Sequence, residues 1–143
     1  MLSVFDVAAF ILKKRGKMTA MKLHKLLYYA QAWSLVWDEK PLFSARIEAW
    51  ANGPVVPHLY ATHRGCFEVS NHNVSGDPTT LSNEQIATVE GVLEFYGDKS
   101  SQWLSDLTHS ERPWREARIG LAPGERGKNE ITHDVMAEYY GSL

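Results

Sequence analysis

The sequence predicts a mainly α protein: a compact single-domain helical bundle spanning residues 1–143 around a buried central helix, with at most a small β element near 42–50 or 66–76. Three features predict it. Leu23, Leu26, Leu27, Ala30, Ser34 and Trp37 recur at helical spacing, and Tyr28, Tyr29, Ala32, Trp33, Leu35 and Val36 fill most of the positions between them. A helix apolar nearly all round is a buried one. Helix-capping residues stand before the apolar-periodic segments, at Ser3, Thr19, Ser82 and Thr132. Finally, 143 residues are most simply one domain, long enough to bury roughly two-thirds of the unfolded surface.

In chain order, Ser3 caps a first helix with Val4, Val7, Ala8 and Ile11 inward, closed by the basic Lys13–Arg15 turn and Gly16. Thr19 caps the central helix, although Lys22 stands where a capping box would place an acid. Asp38-Glu39-Lys40-Pro41 ends it, because the residue before a proline is pushed out of the α region. Phe43, Ile47 and Trp50 suit a helical turn as well as a short strand. Pro54 suits the first position of a helix running to about Arg64, with Gly65 as its stop. Cys66–Thr80 is turn-rich and reads as a small hairpin or an irregular excursion, the expected home of any β structure. Ser82 and Gln85 form a capping box for a helix through Ile86, Val89, Leu93 and Tyr96. Short helices follow around Trp103–Leu107 and from Pro113. Gly120–Asn129 has the composition of a mobile loop, and Thr132 caps a last helix ended by Gly141.

Five tryptophans and six tyrosines point to a core or interface built on aromatics. The lone Cys66 has no internal disulfide partner, which fits a reducing cytoplasm. No secretion signal is visible, since Lys13-Lys14-Arg15 follows the apolar start instead of preceding it. Lys25, Gln31 and Ser34 interrupt the apolar run of the central helix, so no membrane span is expected. The net charge of −2 is uneven: the first 25 residues carry +5 and the remainder −7. That basic stretch is read as a solvated helix end, with lysines set against the helix dipole.

Candidate chemistry is thin. His58, His63 and Cys66 are metal-ligating types, but the two histidines lie about 140° apart round an ideal helix and are read as surface residues. Cys66 is read as a half-buried structural cysteine and not as a nucleophile. Walker loop, dinucleotide fingerprint and nucleophile elbow are all missing from the sequence, so no catalytic residue, cofactor or metal is assigned. Gly53-Pro54-Val55-Val56-Pro57 has two readings: a rigid corner between elements, or a stiff apolar loop presented to a partner beside Trp50 and Tyr60. Thr108–Arg118 likewise is either an ion-paired helix end tied down by Trp114, or an exposed row of Arg112, Arg115 and Arg118.

The segments KLHKLLYYAQAW, KPLF and IEAWANGPVVPHLY, continued by LTHSERPWREAR and ITHDVMAEYY, closely resemble the Panacea antitoxin domain, the SocA-like and phage-associated GepA-like group. The resemblance runs in order over nearly the whole chain. It departs mainly at Asn52, where an aromatic is common before the glycine. Membership implies an antitoxin of a bacterial or phage toxin–antitoxin pair, neutralising a cognate toxin by direct protein–protein binding. In SocA-like members it also implies delivery of the toxin to a cytoplasmic protease. The candidate toxin-binding residues are then Trp50, Asn52, Gly53, Pro54, Val55, Val56, Tyr60, Arg112, Arg115 and Arg118. The alternative is a DNA-binding regulator of its own operon. Only Lys13–Lys25 supports it, and the helix after the Gly16–Met18 turn is too apolar for a DNA groove, so nucleic-acid binding is expected to be weak.

Overall fold

The computed structural model describes residues 2–143. Its helices are α1 (Val4–Arg15), α2 (Ala20–Trp37), α3 (Pro57–Tyr60), α4 (Asn83–Tyr96), α5 (Ser101–Ser110), α6 (Arg112–Ala117) and α7 (His133–Gly141). Its strands are β1 (Met18–Thr19), β2 (Ile47–Trp50), β3 (Gly53–Val55), β4 (Glu68–Val69) and β5 (Glu130–Ile131). The protein is therefore mainly α with small antiparallel sheets.

The caps expected at Ser3, Thr19, Ser82 and Thr132 are in place, and Ser100 adds a fifth. The side chains of Ser3, Thr19, Ser82, Ser100 and Thr132 accept backbone N–H groups of α1, α2, α4, α5 and α7. Each satisfies a donor that the first helical turn leaves open. At Ser82 the reciprocal bond from Gln85 completes the capping box. Gly141 is the last residue of α7 and not its stop.

α2 is the centre of the fold. It packs against α1, α4, α5, α7 and β3, which together enclose it. Every residue from Leu23 to Ala32 is buried. Trp37, expected on the inward stripe, is 52% exposed. Its ring stacks on Trp33 at 5.1 Å and lies over Gly91 of α4.

The ambiguous stretch before Trp50 resolves as a strand. β2 pairs with β3 in a hairpin with Ala51 and Asn52 at its turn, and β5 returns from late in the chain to the other side of β2. The sheet order is β3-β2-β5. This hairpin displaces the helix expected from Pro54 to Arg64: α3 begins at Pro57 and is a single turn. Pro54 is tolerated in an edge strand at a position where its missing N–H is not required. Its partner across the hairpin, Ala49, turns its own N–H towards Asn129 (2.9 Å), so the hydrogen-bonding groups of that pair face away from β3. The Cys66–Thr80 excursion contributes the short strand β4, paired with β1, and a 3-10 turn at Pro78–Thr80, while the larger sheet is built on the 42–50 stretch, the other of the two expected places.

Gly53, Pro54, Val55 and Val56 are buried, and Val55 and Val56 are fully enclosed. The reading of this stretch as an exposed apolar loop is corrected: β3 lies between β2 and α2. Val55→Asp should lower stability by about 3–5 kcal/mol, since it leaves an unpaired carboxylate in the core. A thermal melt followed by circular dichroism checks this, and an unchanged melting temperature would place Val55 at the surface.

Candidate functional site

Polar side chains on the buried helix organise the region behind the hairpin. The backbone N–H of Val56 donates to Nδ1 of His24 (3.1 Å). In a neutral imidazole the other nitrogen then carries the proton, so His24 Nε2 donates to His63 Nε2 at 3.0 Å. Burial, the neighbouring His63 and Lys25 hold the His24 pKa down at about 3. Burial also lowers that of His63. His63, expected at the surface beside His58, is thus a core residue, while His58 is exposed and meets the Phe5 ring edge-on at 5.2 Å. Cys66 is exposed and not half-buried. Among the described residues no group of three or more His, Cys, Asp or Glu side chains is placed to hold a metal ion.

Lys25 is also buried, with 2% exposure, and burial lowers its pKa to about 8. Its side chain runs along the hairpin turn, where Cε lies 2.8 Å from the position a β-carbon on Gly53 would take. Gly53 has φ +132°, a backbone conformation that L side chains rarely adopt, so this turn favours glycine. Further along, Tyr29 and Tyr140 both donate to Glu111 Oε1, at 2.7 and 2.8 Å. Burial raises the Glu111 pKa, and the two hydroxyl donors oppose that rise.

In front of the hairpin lies an open groove of about 880 Å³. One wall is the hairpin turn and α3, with Trp50, Ala51, Asn52, Pro57 and Tyr60. The other is the 124–128 loop, with Gly124, Arg126, Gly127 and Lys128, and Met21, Glu48 and Arg64 complete the lining. The aromatic pair is held in advance. Trp50 and Tyr60 meet edge to face at 5.0 Å, and the Trp50 indole donates to Glu48 Oε1 at 2.8 Å. The other Glu48 oxygen pairs with Arg46 Nε at 2.9 Å, so its charge is answered inside the wall.

Arg118 builds the loop wall. Predicted on an exposed arginine row, it is buried instead (6% exposed). Its guanidinium donates to the carbonyls of Ala49 (2.9 Å), Ala122 (3.5 Å) and Glu125 and lies over the Trp114 ring. The 120–129 segment, read as a mobile loop, is therefore clamped to β2 at its middle, and Arg46 donates to the Lys128 carbonyl as a second tie.

Of the predicted site residues, Trp50, Asn52 and Tyr60 come together in the groove. Arg112 and Arg115 are exposed but lie outside its lining, and Arg112 is paired with Glu116 (2.6 Å) and Glu138 (3.3 Å). Sequence reasoning missed Arg64, Arg126 and Lys128. The basic pair inside GLAPGERGKN was the available signal, masked by its loop composition. The basic N-terminal stretch is mostly occupied: Lys14 pairs with Glu90, Arg15 with Asp98 and Lys17 with Glu68, while Lys25 is internal. No described helix is long and apolar enough to cross a membrane.

The family model described as antitoxin SocA-like, Panacea domain, matches residues 23–115, well over half of the chain. The chain belongs to this family. No curated protein and no solved structure matches it. The matched part of the Panacea domain takes in α2, the hairpin and α3, hence Trp50, Tyr60 and Arg64, while Arg126 and Lys128 lie beyond it.

Two outcomes are expected. The His24 pKa is depressed in the folded state relative to 6.5, so the unfolded chain binds the extra proton between these values. Stability from this site is complete above about pH 6.5 and is lost as pH falls towards 3. Melting temperature should drop on acidification from neutral pH. In His24→Asn, whose Oδ1 can keep the bond from Val56, the drop should be shallower; equal slopes in both proteins would refute the assignment. Arg118→Ala should cost about 2–4 kcal/mol, because it removes charged donors and leaves the Ala49 carbonyl unanswered. Hydrogen exchange should rise across 122–128 more than in α2, and a uniform rise would count against a clamp.

Proposed function

We propose that this Panacea domain neutralises a co-encoded toxin by binding it directly in the cytoplasm, and that the Trp50–Tyr60 groove is the surface that holds it. Family membership over residues 23–115 is the observation that carries the antitoxin reading. The groove supports the choice of surface: tryptophan, tyrosine and arginine are the residue types that most often anchor interfaces. Here the Trp50 and Tyr60 side chains are fixed before any partner arrives, which reduces the ordering cost of association. The buried Val55 and Val56 serve this surface only by holding the hairpin in place. Arg112 and Arg115 form a separate exposed surface, and their role in binding is secondary in this reading. Handing the toxin to a protease, which the SocA-like resemblance implies, is a further step of the same proposal. No enzymatic step and no cofactor enters it.

The test is growth rescue. Expression of the adjacent reading frame should arrest growth, and co-expression of this chain should restore it. Tyr60→Ala should keep its melting temperature within a few degrees while losing roughly 30-fold in affinity for the purified toxin, the scale of an interface hot spot. Growth arrest by this chain alone, or failure of the wild-type chain to rescue, would overturn the antitoxin reading. A shortened toxin half-life during rescue would add protease delivery, and an unchanged one would remove it.

A further inference from the structure

The charge of the groove runs against that of the chain around it. Residues 26–143 carry a formal net charge of −7. Yet the groove displays Arg64, Arg126 and Lys128, all exposed. None of the three makes an ion pair among the described residues, whereas Lys14, Arg15, Lys17, Lys40, Arg46 and Arg112 all do. The one acid in the lining, Glu48, has both oxygens engaged, by Arg46 and by the Trp50 indole. The groove is thus a basic channel lined by Trp50 and Tyr60, with three exposed cations close together and no acid free to answer them.

From this we infer that the groove takes an acidic peptide segment of the partner protein, with Asp or Glu side chains meeting Arg64, Arg126 and Lys128 and an aromatic or aliphatic side chain packed on Trp50 and Tyr60. The inference rests on the antitoxin reading and specifies the chemistry of the bound segment. Three observations carry it. Charge complementarity is the first: unpaired guanidinium and ammonium groups favour carboxylates, and arginine can hold one through two parallel hydrogen bonds. The second is the volume of about 880 Å³, which accommodates a few residues of extended chain and not a whole domain face. The third is the wall itself. Arg118 and Arg46 fix the loop carrying Arg126 and Lys128 through its backbone carbonyls, so the cations are presented on an anchored segment. Arg126 and Lys128 lie outside the stretch that matches the family, and Arg64 lies inside it.

The experiment uses the isotopically labelled full chain and a capped peptide probe, Glu-Glu-Trp-Glu-Glu, followed by NMR. The acidic peptide should shift the Trp50 indole signal and the amides of Arg64 and 124–128. Its twin with glutamine in place of glutamate should bind at least about tenfold more weakly, and about 0.5 M salt should abolish most of the difference. The double variant Arg126→Glu, Lys128→Glu, with both side chains exposed, should keep its melting temperature and lose the acidic peptide. No shift with the acidic peptide, equal shifts with the glutamine twin, or shifts mapping to another surface would overturn the inference. So would tighter binding of a single-stranded RNA of about twelve nucleotides, which a basic aromatic channel can also stack. The double variant also separates this idea from the antitoxin reading. If the wild-type chain rescues growth and the folded double variant rescues it equally well, the acidic segment is refuted and the antitoxin stands. If the wild-type chain fails to rescue, it is the antitoxin reading that falls.

Discussion

Because α2 is buried from Leu23 to Ala32, His24, Tyr28, Tyr29 and Gln31 take their hydrogen-bond partners from within the fold, and those bonds join the remaining elements to it. Gln31 shows the pattern most fully. Its oxygen accepts the backbone N–H groups of Leu42 and Phe43 at 2.7 and 3.2 Å. Its amide nitrogen donates to the Phe43 carbonyl and to His133 at the start of α7. One amide thus uses its whole bonding capacity, and in doing so sets where the chain leaves α2 for the hairpin. His24 does the same for Val56 and His63, and Tyr28 and Tyr29 reach Tyr140 and Glu111. An unanswered group in this interior would cost about 1–3 kcal/mol, so these contacts specify the arrangement as well as hold it.

The groove is a product of that same interior. Lys25 lies along the hairpin turn, and the positive φ of Gly53 (+132°) makes glycine the residue suited to that position. The turn then carries Asn52 to the surface, with Trp50 beside it. On the other side of β2 the chain joins the sheet only from Asn129 onwards, and the Arg118 guanidinium takes the Ala49 carbonyl. The Trp114 indole meets the carbonyl of Trp50 at 2.9 Å and stacks on His109 at 3.9 Å, which ties α6 and α5 to the same strand. Residues that never touch the groove therefore shape both its walls.

How much of this was legible in the sequence differs from element to element. The central helix was, because an apolar run with helical spacing is a statement about periodicity alone. The caps at Ser3, Thr19, Ser82 and Thr132 were legible too, since a hydroxyl reaching an N–H two or three residues on is local chemistry. Trp50, Asn52 and Tyr60 were named together from the sequence, and they do share one surface. The valines next to them were not separable by the same reasoning, because a short apolar stretch between glycine and proline reads alike whether it is covered or bare.

Sequence by itself determined the elements whose partners are near in the chain: the buried α2, the capped helices and the family to which they belong. Only the tertiary structure decided the matters that depend on distant residues. Arg118 turned inward because the Ala49 carbonyl, 69 positions away, needed a donor. His63 became a core residue because His24, 39 positions before it, offered a proton. Arg64 and the Arg126–Lys128 pair became one basic wall because β5 returns to β2 and brings its loop across from the other end of the chain. The physical reason is the same in each case: a charge or a hydrogen-bonding group is directed by whatever surrounds it, and here those surroundings come from segments far apart in sequence.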